Sequence, residues 1–264
     1  DAQRAALDDL PLGSFFALRL GGLPDAPDPG TAPVGAFTLA ALGAGASPAA
    51  ARASAVATAL VTAGDPTSAV GELLFALRAA EAAGDVGAVL QLGEDLQSLD
   101  EYRQSVRAAR ALLADGVDDL RAWRLAYPPA WPDIVGEAAV ENDLEPALVW
   151  AVMRQESAFS PVAVSRANAQ GLMQVVPSTW DWIAELRKEE PADPFDVASN
   201  IRYGATYLRW LLDYFGGDVE LAIAGYNGGQ GYVRRTLEGE VVKGDRDDFY
   251  RLMDRSETRE YLQV

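Results

Sequence analysis

The sequence predicts a mainly α-helical protein in two parts. Three observations carry this prediction. Apolar residues recur at helical spacing through most of the chain, the alternation that marks strands is almost absent, and one proline-dense break falls at 127–132. In that break Tyr127 is followed by Pro128, Pro129, Ala130, Trp131 and Pro132, and no continuous helix passes through such a run. Residues 1–128 are therefore expected to form an Ala-rich helical part, and residues 129–264 a second, separate domain.

The elements follow in order. Pro24, Pro27, Pro29 and Pro33 make residues 22–34 a loop between early helices. From 47 to 113 the pattern is helical. Val70, Leu73, Leu74 and Leu77 form one stripe; Val86, Val89 and Leu90 begin another, which Leu96 continues across a gap at Gly93; Tyr102, Val106, Ala109 and Leu113 form a third. Gly84-Asp85 and residues 98–100 punctuate them as short connections. Alanine allows close helix approach, so paired helices stacked as a partial α-superhelix are expected, although no fixed-period repeat is present. Packing alone explains these stripes, and this part reads as a scaffold.

In the second part, residues 133–141 suit a helix, and Pro146 opens another that runs to Glu156. Residues 165–174 are small and polar, as in a loop or short hairpin. Pro177 starts a further helix, 196–215 makes a long one closed by Gly216 and Gly217, and Asp218 caps the helix that delivers Tyr226 and Asn227.

Composition excludes several chemistries. The net charge is −17, from 39 acidic and 22 basic residues, and both parts are acidic, so nucleic acid is not an expected partner. Histidine and cysteine are absent. That removes Ser–His and Cys–His nucleophiles and imidazole or thiolate metal sites; no metal and no cofactor are expected. No apolar run reaches the roughly 18 residues of a membrane span. The chain opens on Asp1 rather than Met, and is read as a trimmed form or a fragment.

One residue breaks the helical pattern. Leu148, Val149, Val152 and Met153 form an apolar face, and the next position on it is Glu156, followed by Ser157. Desolvation and the negative end of the helix both push a carboxylate there towards its neutral form. A protonated carboxylic acid is what glycosidic-bond cleavage needs to protonate the leaving oxygen. A lone helical glutamate ordinarily snorkels to solvent; the motifs around Glu156 favour the catalytic reading.

Those motifs are Gln155-Glu156-Ser157, then Ser165, then Gly171-Leu172-Met173-Gln174, then Asn200, Gly204, Tyr207 and Leu208. Gly225-Tyr226-Asn227 follows, and Glu257-Thr258-Arg259-Glu260-Tyr261 ends the series. In this order and spacing, residues 129–264 resemble the soluble lytic transglycosylases of glycoside hydrolase family 23, enzymes that cut bacterial cell-wall peptidoglycan. The resemblance implies a lysozyme-like catalytic domain, Glu156 as the catalytic acid, and peptidoglycan glycan strands as the partner. It implies cleavage of the β-1,4 bond between N-acetylmuramic acid and N-acetylglucosamine, with the C6 hydroxyl of the former closing a 1,6-anhydro ring. It further implies a secreted protein of the periplasm or cell envelope. Ser165, Gln174, Tyr226, Asn227 and Glu257 match positions that line the groove or hold the acid. Glu257 either touches sugar or anchors the terminal segment, and Met173 either borders the site or fills the core.

Residues 157–180 contain no Asp or Glu, which favours a one-carboxylate mechanism over ordinary hydrolysis. Asp181, Asp196 or a more distant acid folded into the cleft would reverse this. Tyr203, Tyr207, Trp210 and Tyr214 make an aromatic stripe that reads as core, and Arg234-Arg235 as a solvated face. Three positions depart from the family pattern: Asn168 and Gly225 stand where Gly and Ala are usual, and Val176 where Met is common. The rival readings are a lysozyme-type hydrolase of the same glycan and a non-catalytic glycan-binding envelope protein.

Overall fold

The computed structural model describes residues 47–238. Among them are eleven helices: α1 Pro48–Thr62, α2 Pro66–Ala83, α3 Val86–Gln97, α4 Tyr102–Ala114, α5 Leu120–Ala126, α6 Pro132–Glu141, α7 Pro146–Ser157, α8 Pro177–Arg187, α9 Val197–Tyr214, α10 Val219–Gly228 and α11 Gln230–Glu238. The only β pairings among the described residues are isolated bridges, Val164 with Gln170 and Gln170 with Val175. The mainly α class is as expected. Residues 47–205 form one compact unit and 206–238 belong to a second.

Helix boundaries follow local chemistry. Asp65, Asp85 and Asp119 accept the backbone N–H of Ser68, Ala88 and Arg121 at the starts of α2, α3 and α5. Gly84 closes α2 in the left-handed conformation (φ 66°). In the first unit each of α1–α4 packs on the next, and α1 also meets α3, and α3 meets α5. This is the stacking of paired helices. Leu73, Leu77, Leu92 and Leu96 are fully buried beside Ala50, Ala53, Ala57 and Ala69. Each leucine contributes about 1.5–3 kcal/mol, and the alanines let the helix axes close up. Gly93 is no gap in its stripe. A Cβ there would sit 3.0 Å from Leu125 and 3.2 Å from the Ser105 hydroxyl, so glycine is what admits α5.

A buried polar cluster ties α1 to α3. The Ser54 hydroxyl lies 2.5 Å from Asp95 Oδ2 and 3.0 Å from the Ala50 carbonyl, and Gln91 Nε2 donates to Asp95 Oδ1 at 3.1 Å. Asp95 is 4% exposed. Desolvation raises its pKa, against the opposing pull of the Ser54 and Gln91 hydrogen bonds. Between the ordinary value of 3.8 and this raised one the native state holds a proton that the unfolded chain has released, so stability falls as pH rises through that window. Asp95→Asn should remove this dependence. Its Nδ2 can donate to Ser54 while Ser54 donates to Ala50 and Gln91 still donates to Oδ1. Thermal melts from pH 4 to 8 are expected to show a higher Tm than the parent at pH 7 and a flatter profile. A lower Tm at pH 7 would contradict it.

The proline-rich segment at 127–132 lies inside the first compact unit. Ala130 is fully buried, its carbonyl accepts Trp150 Nε1–H at 2.7 Å, and the Trp131 ring meets Tyr102 at 4.7 Å. Prolines stop helix α5 there, but these contacts pack the segment against helices on both sides. α5 itself lies outside the helical stripes read in the sequence, which end at Leu113. The loop expected at 22–34 lies outside the described residues.

Candidate active site

Helix α7 starts with Pro146 in its first turn and buries Val149, Val152 and Met153. Glu156, next on that face, is half-buried at the penultimate position. The chain then turns sharply. Ala158 and Phe159 both adopt left-handed backbone (φ 49° and 61°), which costs about 1–3 kcal/mol for each non-glycine residue. The Ser157 hydroxyl donates to the Met153 carbonyl at 3.2 Å and accepts the Ser160 N–H at 3.1 Å. Phe159, 1% exposed, offsets the strain by burying its ring.

The loop beyond is a short double bridge, as the sequence allowed. Ser165 N–H donates to the Ala169 carbonyl, Gly171 N–H to Ala163, and Gln170 N–H to Val175. Exposed Ser165 accepts the Ala169 N–H with its hydroxyl at 3.1 Å. Asn168 supplies the left-handed residue (φ 61°) that its type predicted. Gln174, also left-handed, donates from Nε2 to the carbonyls of Ala163 (3.1 Å) and Gly171 (2.8 Å). It holds the loop's shape.

Asn200 on α9 is the support beneath this loop, and nothing in the sequence reading marked it beyond its place in the motif series. It is 1% exposed. Its Oδ1 accepts Met173 N–H at 2.7 Å, and its Nδ2 donates to the carbonyls of Gln170 (3.1 Å) and Pro194 (2.7 Å). A Cβ on Gly171 would collide with the Asn200 amide and the Pro194 carbonyl, and φ is +76° there, so only glycine fits. Met173 is fully buried. Of its two readings, the structure supports core filling, because its side chain occupies the space over Gly204. A Cβ at Gly204 would lie 2.6 Å from Met173 Cβ. Gly204→Ala should therefore destabilise by about 1–3 kcal/mol; urea unfolding checks this, and a midpoint equal to the parent's would contradict it.

Two of the candidate second carboxylates, Asp181 and Asp196, face solvent. Asp196 accepts the Ser199 N–H at 2.9 Å as the cap of α9, which holds its pKa down.

In the second unit, Asp218 caps α10 by accepting from Glu220 and Leu221. The helix carries Tyr226, 9% exposed, and half-buried Asn227. The Tyr226 ring lies 5.2 Å from that of Tyr207, whose hydroxyl pKa is pushed up to about 12 by desolvation. A Cβ on Gly225 would meet the Phe215 ring at 2.8 Å, so the room this glycine leaves is filled by Phe215. The aromatic stripe continues through Trp210 to half-exposed Tyr214, while Tyr203, in the first unit, is fully buried against Trp180. Exposed Arg234 pairs with Glu238 at 2.9 Å. Glu257 and its motif lie outside the described residues.

Residues 133–249 match the family described as Transglycosylase SLT domain. Among its relatives is the soluble lytic murein transglycosylase of Salmonella typhimurium, 31% identical over 140 residues, which are 52% of this chain and 22% of that protein. The putative soluble lytic murein transglycosylase of Haemophilus influenzae is 34% identical over 149 residues, 54% of this chain and 25% of that one. The chain thus spans about a quarter of the length of these relatives. Among solved structures, an inactive glutamate-to-glutamine mutant of lytic transglycosylase Slt from Pseudomonas aeruginosa superposes with a TM-score of 0.62 at 27% identity. That match covers 81% of this chain and 35% of the other, so it takes in helices ahead of residue 133. The lysozyme-like helical fold expected of the second part is the fold of this neighbour. No described helix is long and apolar enough to cross a membrane.

Proposed function

We propose that this chain cleaves the β-1,4 bond between N-acetylmuramic acid and N-acetylglucosamine in peptidoglycan by lytic transglycosylation, with Glu156 as its single acid–base group. The observation that carries the reading is the placement of Glu156: a half-buried carboxyl at the end of α7, on the apolar face, with a loop following in the chain that hydrogen bonds hold in one shape. The SLT domain and its named relatives support the same chemistry. Glu156 protonates the leaving glycosidic oxygen. It then accepts the proton of the muramic C6 hydroxyl as that oxygen bonds to the anomeric carbon, so the carboxyl group ends the cycle protonated.

Ser165, Gln174, Tyr226, Asn227 and Glu257 serve this reading as groove or positioning residues, and residues 129–264 as the catalytic part beside a helical platform at 1–128. The place of action is the periplasm or cell envelope, where the glycan is. Purified chain should solubilise isolated peptidoglycan into muramic-ended fragments, read as a fall in turbidity and by chromatography of the supernatant. Peptidoglycan that remains intact across pH 4–8 would overturn the proposal.

A further inference from the structure

Helix α7 presents Glu156 on one side and is gripped from another. Arg154 lies two residues before Glu156, about 200° round the helix. Its guanidinium carbon stands 4.5 Å from the centre of the Tyr127 ring, and that ring stacks on Trp123 at 5.9 Å. Trp150, one turn earlier on the same face as Arg154, donates its indole N–H to the buried Ala130 carbonyl at 2.7 Å. Just past the helix end, buried Phe159 meets Tyr102 at 6.1 Å, and Tyr102 meets Trp131 at 4.7 Å. The helix and the turn that ends it therefore touch the 127–131 segment or its aromatic neighbour at three successive heights.

Simple core filling does not account for this choice of side chains. A partly buried guanidinium carries a desolvation cost that a leucine would not, and burial lowers the Arg154 pKa, as does the like charge of Arg110. Tyr127 works in the opposite direction and favours the charged form. What an Arg–aromatic stack supplies beyond packing is a fixed mutual orientation of two planes. The left-handed pair Ala158–Phe159 needs the same kind of support, since such a backbone persists only where its surroundings over-determine it.

We propose that Tyr127 and Trp150 are positioning residues: through Arg154 and Ala130 they fix the rotation and height of α7, and so the pose of the Glu156 carboxyl. The inference rests on the reading of Glu156 as the catalytic acid. Its consequence is that the proline-rich segment is part of the catalytic apparatus and more than a connection between two parts.

The test uses the full chain, purified glycan strands as substrate, and Tyr127→Phe, Tyr127→Leu, Trp150→Phe and Glu156→Gln, with kcat, KM and Tm measured for each. Tyr127→Phe keeps the ring and should stay within about 3-fold of the parent. Tyr127→Leu should lower kcat by about 10–100-fold while KM changes less than 3-fold, because a displacement of about 1 Å can cost that much. If Tyr127→Leu does not fold, Trp150→Phe decides, with an expected kcat loss of about 3–10-fold at unchanged KM. A folded leucine variant with parental kcat, or losses confined to Tm or KM, would overturn the proposal. Parental activity in Glu156→Gln would remove the acid assignment itself, and this inference with it, whatever the other variants do.

Discussion

Replacing Glu156 by glutamine should abolish glycan cleavage and leave the fold intact. The two side chains share a shape, but the amide can neither give nor take the proton at the glycosidic oxygen. Positioned acid–base catalysis typically supplies about 10²–10⁴-fold, and here one carboxyl group is asked to serve twice, so the loss should reach at least the upper end. Asp196 cannot substitute, since it is exposed and engaged in capping α9. The check pairs muropeptide release with a thermal melt. Release below about a ten-thousandth of the parent rate, with Tm unchanged within a few degrees, is the expected result. Near-parental turnover would move the chemistry to another residue.

Asn200→Ala should produce the largest loss of stability. The substitution strands one N–H, of Met173, and two carbonyls, of Gln170 and Pro194. Each unmade hydrogen bond at a buried site costs about 1–3 kcal/mol, and the small cavity adds to it. Partial relaxation brings the expected total to roughly 3–5 kcal/mol. Activity should fall as well, because the same contacts hold the loop from Gln170 to Gln174. Urea unfolding gives the free energy, and cleavage assays below the transition give the activity. A loss under about 1 kcal/mol would show that water or neighbouring groups replace the amide.

Asn200 also marks where sequence reading stops. Its three partners lie 6 to 30 residues away, and no local pattern encodes a hydrogen bond across that distance. Features that depend on neighbours in sequence were legible. Asp218 caps the helix it precedes, Gly84 and Asp85 fall in the connection between α2 and α3, Pro146 opens α7, and Asn168 takes the left-handed turn. Gly93 shows the limit from another side. It breaks an apolar stripe on paper, yet the break is what lets Leu125 approach. Met173 was ambiguous for a similar reason, since only the missing Cβ of Gly204 decides that its side chain is core. The segment at 127–132 was read as a boundary because prolines end helices. Backbone restriction is visible in sequence, whereas the Trp150 and Arg154 contacts that pack the segment are not.

The motif series carried the chemistry further than periodicity could. Periodicity located an acid on an apolar face; the ordered motifs carry the reaction proposed for that acid, and the SLT match spans most of them. What distinguishes this reaction from hydrolysis is the origin of the attacking oxygen. With no Asp or Glu from 157 to 180, and with the C6 hydroxyl held next to the anomeric carbon by the substrate itself, intramolecular attack has the advantage of proximity, worth roughly 7–11 kcal/mol in well-aligned systems.

Digestion of purified peptidoglycan in ¹⁸O-labelled water, followed by mass spectrometry of the new muramic ends, measures that origin directly. Transglycosylation through Glu156 predicts 1,6-anhydro ends with no incorporated label. Predominantly labelled reducing ends would contradict it and make the chain a lysozyme-type hydrolase on the same fold.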